Sequence, residues 1–235
     1  MAVPTFVKAY GAAGASISNN GNFPTTLEND IAVQSLSITG TTGATATVPD
    51  GWTRISDISI NTGSAANIVR MITCWKRCAA SESAGTWTSM TGYRFFLATI
   101  IRGCVETGTP FVSLGETTQA TGSTSFSESL KDCNYTDVLW HNHCGYNQNA
   151  AGSMFGNPAN AGLSSMSEKY DTSVTGGSGT GRWCWSGTSA AAGSGGTTTA
   201  NISASIGYVS VALAMLSTTS TTGSSANSGF FNFMK

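Results

Sequence analysis

The chain has 235 residues, of which 40% are apolar and only 10% are charged, and its formal net charge is -1. This length suits one all-β domain, and a near-neutral charge gives no basic surface, so we expect no nucleic-acid partner. No apolar run is long enough to span a bilayer, so we expect no membrane partner either.

Strand signals recur along the chain, whereas capped helical periodicities are nearly absent. The predicted strands are 5–10, 30–39, 57–61, 68–77, 93–103, 137–146 and 207–216, with a short strand around Trp183. Alternation puts Ile58 and Ile60 on one side, and a long apolar run predicts that 93–103 is buried on both faces. Roughly nine to eleven short strands, without βαβ alternation, predict an antiparallel β-sandwich of the jelly-roll type.

The end of the chain differs in composition from the rest. Residues 217–228 are nine Ser or Thr with one Gly, one Ala and one Asn, and an apolar tip of Phe230, Phe231, Phe233 and Met234 follows. We therefore predict a sandwich domain at 1–216 and a Ser/Thr-rich arm at 217–235. A flexible arm reaches far, and an apolar tip marks a contact site. The alternative is a disordered end without a role.

The N-terminus has no basic segment followed by an apolar one, so it does not have the pattern of a secretory signal. We expect synthesis in the bacterial cytoplasm, where thiols stay reduced. The chain has six cysteines and no CxxC pair, which gives no support to a zinc ribbon. We interpret most of them as small buried hydrophobic residues.

Two histidines, His141 and His143, stand in the sequence WHNHC. Residues at i and i+2 of a strand point the same way. With a third ligand the pair could bind zinc or nickel, but no partner motif is visible. The alternative is that both lie on one sheet face and are satisfied by neighbours or water, so we expect no cofactor.

A second pair, Trp183 and Trp185, shares one face of the strand RWCWSG. One interpretation is an exposed platform that stacks on carbohydrate. The other is that both belong to the core, with Arg182 and Cys184 opposite them. A glycoside hydrolase needs only two carboxylates at the right separation, and the sequence singles out no such pair. We expect no enzymatic activity.

Four stretches together resemble a group of phage and prophage virion proteins. They are VPDGWTRI (48–55), CWKRCAASESAGTWT (74–88), ATIIRGCVETGTPF (98–111) and residues 168–200. The likeness covers about residues 1–216. It implies a β-sandwich in a bacteriophage particle, as a head decoration, head-spike or tail-associated protein, and it carries no catalytic residues.

We therefore expect a structural protein of the virion, most of all a capsid decoration (cement) or head-spike protein. Its partners would be copies of itself, as a trimer, and the major capsid protein or another virion protein. The alternative is a tail or fibre module that binds host-surface carbohydrate, with Trp183 and Trp185 exposed.

Overall fold

The computed structural model describes residues 3–14, 23–39, 45–60, 69–88, 90, 92–147, 152–174 and 179–222. The strands are β1 Thr5–Gly14, β2 Ile31–Thr39, β3 Thr53–Ile60, β4 Val69–Arg77, β5 Tyr93–Arg102, β6 Phe111–Ser129, β7 Asp132–Cys133, β8 Val138–Asn147, β9 Ser164–Val174, β10 Thr180–Ser189, β11 Gly193–Ser194 and β12 Thr197–Leu216. Among the described residues no helix is long and apolar enough to cross a membrane.

Ten strands form two five-stranded sheets that pack face to face. The first sheet has the order β1-β5-β2-β4-β3, and the second has the order β6-β12-β8-β10-β9. Neighbouring strands pair antiparallel in both, and β7 pairs with β11 separately. The predicted all-β, antiparallel β-sandwich is confirmed.

The layer between the sheets is apolar over much of its area. Alternating residues in the second half of β12 point into it, and they meet apolar residues of β2, β4 and β5. Its buried members include Ile31, Val33, Met71, Ile101, Val209, Val211, Leu213 and Met215. Burial of this layer stabilises the sandwich by about 25 cal/mol for each Å² of apolar surface removed from water.

The outer face of the central strands β2, β4 and β5 of the first sheet is also buried. Loop residues at 45–52 and 78–88 lie over it and contribute Trp52 and Trp87 to a second apolar cluster. Gln34 of β2 fastens this cover, because its Nε2 donates to the Ala84 carbonyl at 2.5 Å and its Oε1 accepts from Trp87 Nε1 at 3.0 Å. All nine residues of β2 are consequently buried.

The outer face of the second sheet is covered by its own longest strands. Only residues 208–216 of β12 pair with β8, and register shifts follow Asn201 and Ile206 in the pairing with β6. Beyond these shifts, the paired ends of β6 and β12 lie back across the outer face of the sheet. These ends, residues 123–129 and 197–206, form the returning ribbon. A Cβ on Gly115 would lie 3.7 Å from the Ser129 carbonyl oxygen, although both residues belong to β6.

Apolar and aromatic residues fill the space under the returning ribbon. The ring centroid of Phe126 lies 5.1 Å from that of Tyr208 and 4.9 Å from that of Trp183. The segment at 154–163 runs beside the ribbon, with β-bridges from Phe155 to Ile202 and from Ala159 to Thr199. This cover buries the central strands β8 and β10 of the second sheet on both faces as well.

The first residues of the predicted arm belong to the body of the fold. Ser217 forms a β-bridge with Cys104, and Thr222 forms one with Tyr135. The amide of Thr136 donates to the Thr221 carbonyl at 3.0 Å. Residues 217–222 are therefore bonded to the sandwich, and the tip residues Phe230, Phe231, Phe233 and Met234 lie outside the described residues.

Glu128 fastens the returning ribbon to the second sheet. Asn142 Nδ2 donates to Glu128 Oε2 at 2.9 Å and to Ser210 Oγ at 2.5 Å. Glu128 is fully buried, and this burial raises the pKa of its carboxyl to about 8, although hydrogen bonds from Ser210 and Asn142 oppose the shift. The protonated form therefore predominates at neutral pH.

A Glu128→Gln variant should lose part of the pH dependence of folding stability. The folded-state pKa is raised from 4.5 to about 8, so the folded chain binds the extra proton between these values. Binding of this proton stabilises the folded state fully at pH values below the pKa of the unfolded chain. The stabilisation decreases as pH rises toward the folded-state pKa of about 8. We expect the melting temperature of Glu128→Gln to approach the wild-type value near pH 5 and to exceed it by several degrees at pH 9.

Thermal unfolding followed by circular dichroism at these two pH values measures the difference. Glu116→Gln is the matched control, because Glu116 is an exposed residue of the same strand and accepts a hydrogen bond from Ser56. A constant difference between Glu128→Gln and wild type at both pH values would contradict the role of Glu128.

Candidate functional site

A group of polar side chains lies buried between the two sheets. Ser35 of β2 and Thr99 of β5 point inward from the first sheet. From the second sheet come two residues of β8 and two of β10. The inter-sheet polar cluster comprises Ser35, Thr99, His141, His143, Arg182 and Cys184, each at most 1% exposed.

Strand alternation explains why these residues meet. His141 and His143 share the inward face of β8, as their spacing predicts. Arg182 and Cys184 share the inward face of β10, which pairs with β8 through the rows Trp183–Cys144 and Ser186–His141. Spacing in the sequence indicates that the two histidines share a face, but it does not indicate Cys184, which approaches them only through strand pairing across about 40 residues of chain.

The two imidazoles and the threonine hydroxyl form a triangle. His141 Nε2 lies 3.2 Å from His143 Nε2, and Thr99 Oγ1 lies 2.8 Å and 2.9 Å from these two atoms. Cys184 Sγ is 4.0 Å from His141 Nε2. One ligand atom from each of His141, His143 and Cys184 falls within 4.8 Å of the others, so the three side chains converge on one point.

Ser35 links the triangle to a buried arginine. Its Oγ is hydrogen-bonded to His143 Nδ1 and accepts from Arg182 Nη2. The guanidinium extends past Gly145, where a Cβ would lie 2.8 Å from Nη1, and Nη1 contacts Met71 Sδ at 2.7 Å. The described residues give Arg182 Nε no hydrogen-bond partner, and the ion pairs among them do not include Arg182.

Burial controls the charge state of the cluster. It lowers the pKa of His141 to about 3, with a further contribution from the Lys169 charge. It also lowers the pKa of His143 well below the usual value, and the neighbouring His141 and Arg182 act in the same direction. Both imidazoles are therefore neutral at physiological pH. Burial raises the pKa of the Cys184 thiol and lowers that of Arg182 to about 9.

The sequence predicts free thiols and burial of most of the cysteines, and in the structure all six are free and buried. Burial raises the pKa of Cys78 and of Cys104 to about 12, and it also raises the pKa of Cys74 and of Cys144 well above the usual value. Five of these thiols serve as small core residues. Cys184 differs from them because it faces two imidazoles.

The structure corrects the proposed carbohydrate platform. Trp183 and Trp185 are both fully buried. The Trp183 ring stacks on Phe155 at 4.4 Å, and its Nε1 donates to Glu168 Oε2 at 3.0 Å. Both indoles lie under the returning ribbon, with Arg182 and Cys184 on the opposite face of β10. No face of either ring is open to a sugar.

The carboxylates near these tryptophans hold the local fold together. Asp171 accepts from the amides of Met154 and Phe155 at 2.7 Å and 2.8 Å and from Tyr146 Oη at 3.0 Å. Burial raises the pKa of Asp171 to about 6. Asp171 and Glu168 thus position the segment at 154–155 and the Trp183 indole.

No family model, curated protein or solved structure matches this chain. The interpretation of the cluster therefore depends on its geometry.

Ser35→Ala should destabilise the fold. It removes the hydroxyl that bonds both His143 Nδ1 and Arg182 Nη2, and each buried polar group without a partner costs about 1–3 kcal/mol. We expect the free energy of unfolding in urea to fall by about 2 kcal/mol or more.

Ser37→Ala is the matched control on the same strand, because Ser37 Oγ lies 3.5 Å from Thr180 Oγ1, a long contact whose loss should cost about 1 kcal/mol or less. Equal losses in the two variants would show that Ser35 does not organise the cluster.

Proposed function

We propose that this chain is a structural subunit of a bacteriophage particle, a capsid decoration (cement) or head-spike protein. It would associate with copies of itself, as a trimer, and attach to the major capsid protein or another virion protein through the end of the arm. The observation that carries the proposal is the exposed edge formed by β6.

The four edge strands differ in how they are protected. Edge strands expose unpaired amides and carbonyls, and charged side chains, above all lysine, block unwanted pairing there. The edges β1, β3 and β9 carry Lys8, Arg54 and Lys169 respectively, whereas β6 carries no cation along its 19 residues. Its two charged residues are Glu116 and the buried Glu128.

An edge without cations suits assembly by strand addition, in which backbone hydrogen bonds hold a further strand. A chain with only 10% charged residues also has little charge repulsion against self-association. A particle subunit uses both properties, because its edges are covered by neighbouring copies in the assembled state.

The stretches that carry the resemblance to virion proteins occupy framework positions in this fold. Trp52 of VPDGWTRI and Trp87 of the second stretch cover the first sheet. The ATIIRG segment includes the end of β5, which is buried along most of its length. The likeness is therefore to a structural framework, which supports a structural function over catalysis.

The arm supplies the second contact in this proposal. Residues 217–222 are bonded to the body, so 13 residues follow Thr222 and end in the apolar tip. Each fully buried Phe contributes about 1.5–3 kcal/mol. Many copies on one shell add avidity to contacts of this size.

A chain that ends at Thr222 should fold normally and fail to attach. Purified protein is mixed with particles produced without it, the particles are sedimented, and bound protein is quantified. We expect full-length protein to bind, and the truncation and the triple variant Phe230→Ser, Phe231→Ser, Phe233→Ser to lose at least about tenfold in affinity, because one fully buried Phe exceeds 1.4 kcal/mol.

A double variant in the polar part of the arm, Ser224→Ala with Ser225→Ala, is the control and should bind as wild type does. Circular dichroism establishes that all four proteins are folded. Equal occupancy of full-length and truncated protein would remove the arm from the proposal, and no binding of either would overturn attachment to the particle.

A further inference from the structure

We propose that the inter-sheet polar cluster is a binding site for a thiophilic d10 metal ion, monovalent copper or zinc, with His141 Nε2, His143 Nε2 and Cys184 Sγ as its ligands. The ion would fasten the two strands β8 and β10 of the second sheet and lie against Thr99 of the first sheet. This inference does not depend on the proposed function.

The distances fit one ion among three ligands. Zinc bonds of about 2.0–2.1 Å to nitrogen and about 2.3 Å to sulfur in a tetrahedron place two nitrogens about 3.3 Å apart and nitrogen about 3.5 Å from sulfur. The structure has 3.2 Å between the two Nε2 atoms and 4.0 Å between His141 Nε2 and Cys184 Sγ. The third pair, His143 and Cys184, lies within 4.8 Å, so the Cys184 side chain would have to move toward the imidazoles by up to about 1 Å to complete the coordination.

The hydrogen-bond partners orient the ligands toward the ion. Ser35 Oγ lies against His143 Nδ1 and can accept a hydrogen bond from Nδ1–H. In this tautomer Nε2 carries no proton, so its lone pair points toward the centre. Such partners on the second imidazole nitrogen are a regular feature of metal-binding histidines. Ser35 is held in turn by Arg182 Nη2, so the ring of His143 is fixed in its orientation.

Several nitrogen and oxygen atoms share few protons at the centre. Thr99 Oγ1 lies within hydrogen-bonding distance of both Nε2 atoms and 3.4 Å from the Val33 carbonyl oxygen. Without metal, a proton on His141 Nε2 can bridge the two rings at 3.2 Å, because the described residues give His141 Nδ1 no hydrogen-bond partner. A cation between the rings would replace this one hydrogen bond with two coordinate bonds, and the His141 proton would move to Nδ1.

The charge of Arg182 influences which ion is preferred. Metal binding replaces the S–H bond of Cys184 with a sulfur–metal bond and releases the proton to solvent. Monovalent copper with one thiolate gives a centre without net charge, whereas zinc gives a centre of +1. Because the described residues bring no carboxylate to Arg182, we expect monovalent copper to bind more tightly than zinc. Thiolate ligands select these two ions.

The burial of all three ligands determines how the ion enters. Each of them is at most 1% exposed, so loading takes place while the chain folds and before the sheets close. The test therefore uses full-length protein unfolded in guanidinium with a chelator and a thiol reductant. It is refolded without oxygen in one equivalent of a monovalent copper complex or of zinc chloride, and then desalted.

Metal per chain is measured by mass spectrometry. We expect about one copper per wild-type chain and a smaller share of zinc, whereas Cys184→Ser and His143→Gln retain less than about a tenth as much. Cys144→Ser is the matched control, because Cys144 is an equally buried thiol on the opposite face of the same sheet. It should load as wild type does, and both should melt several degrees higher with metal.

X-ray absorption of the loaded wild-type protein gives a result that does not depend on variant folding. One sulfur and two imidazole nitrogens around copper would support the site. Coordination by two or more sulfurs, or by none, would overturn it. So would folded wild-type protein that retains no more of either metal than folded Cys184→Ser.

Discussion

Burial of both faces of the central strands in both sheets is the constraint on which the rest of this structure depends. In many sandwiches the outer faces meet water, but here loops cover the first sheet and the returning ribbon covers the second. Polar groups on the central strands therefore have no access to solvent and must bond to one another. Gln34 bonds to its covering loop, Glu128 bonds to Asn142, and Ser35 bonds to both Arg182 and His143.

The sequence predicts the strands whose apolar residues form runs or alternate, such as β2, β5 and the second half of β12. It does not predict β6 and β9, because Ser, Thr and charged residues dominate them and neither shows a period of two. The return of the ribbon depends on irregular pairing after Asn201, which leaves no periodic signal. His141 and His143 could be found from spacing, whereas Cys184 required strand order. Alternation places Trp183 and Trp185 on one face but does not reveal what covers it.

The distribution of chemistry in the molecule supports assembly over surface recognition. The side chains best suited to bind metals or anions lie buried between the sheets. They are His141, His143, Cys184 and Arg182. On the described surface, the feature that would suit a partner strand in the proposed assembly is the β6 edge, which carries no cation. A metal held between the sheets would suit such a subunit, because it would stabilise the sandwich from within. The two proposals remain independent, since metal content and attachment to a particle are measured separately.

The most direct measurement is sedimentation equilibrium of the full-length protein beside Thr118→Lys, which puts an exposed cation on β6. Thr5→Lys is the control, because β1 already carries Lys8. If the β6 edge joins copies of the chain, wild type and Thr5→Lys will have the mass of an oligomer, a trimer in the proposed assembly. Thr118→Lys will then associate at least about tenfold more weakly, a change of 1.4 kcal/mol. A monomer at every concentration, or equal association of all three proteins, would contradict assembly through this edge.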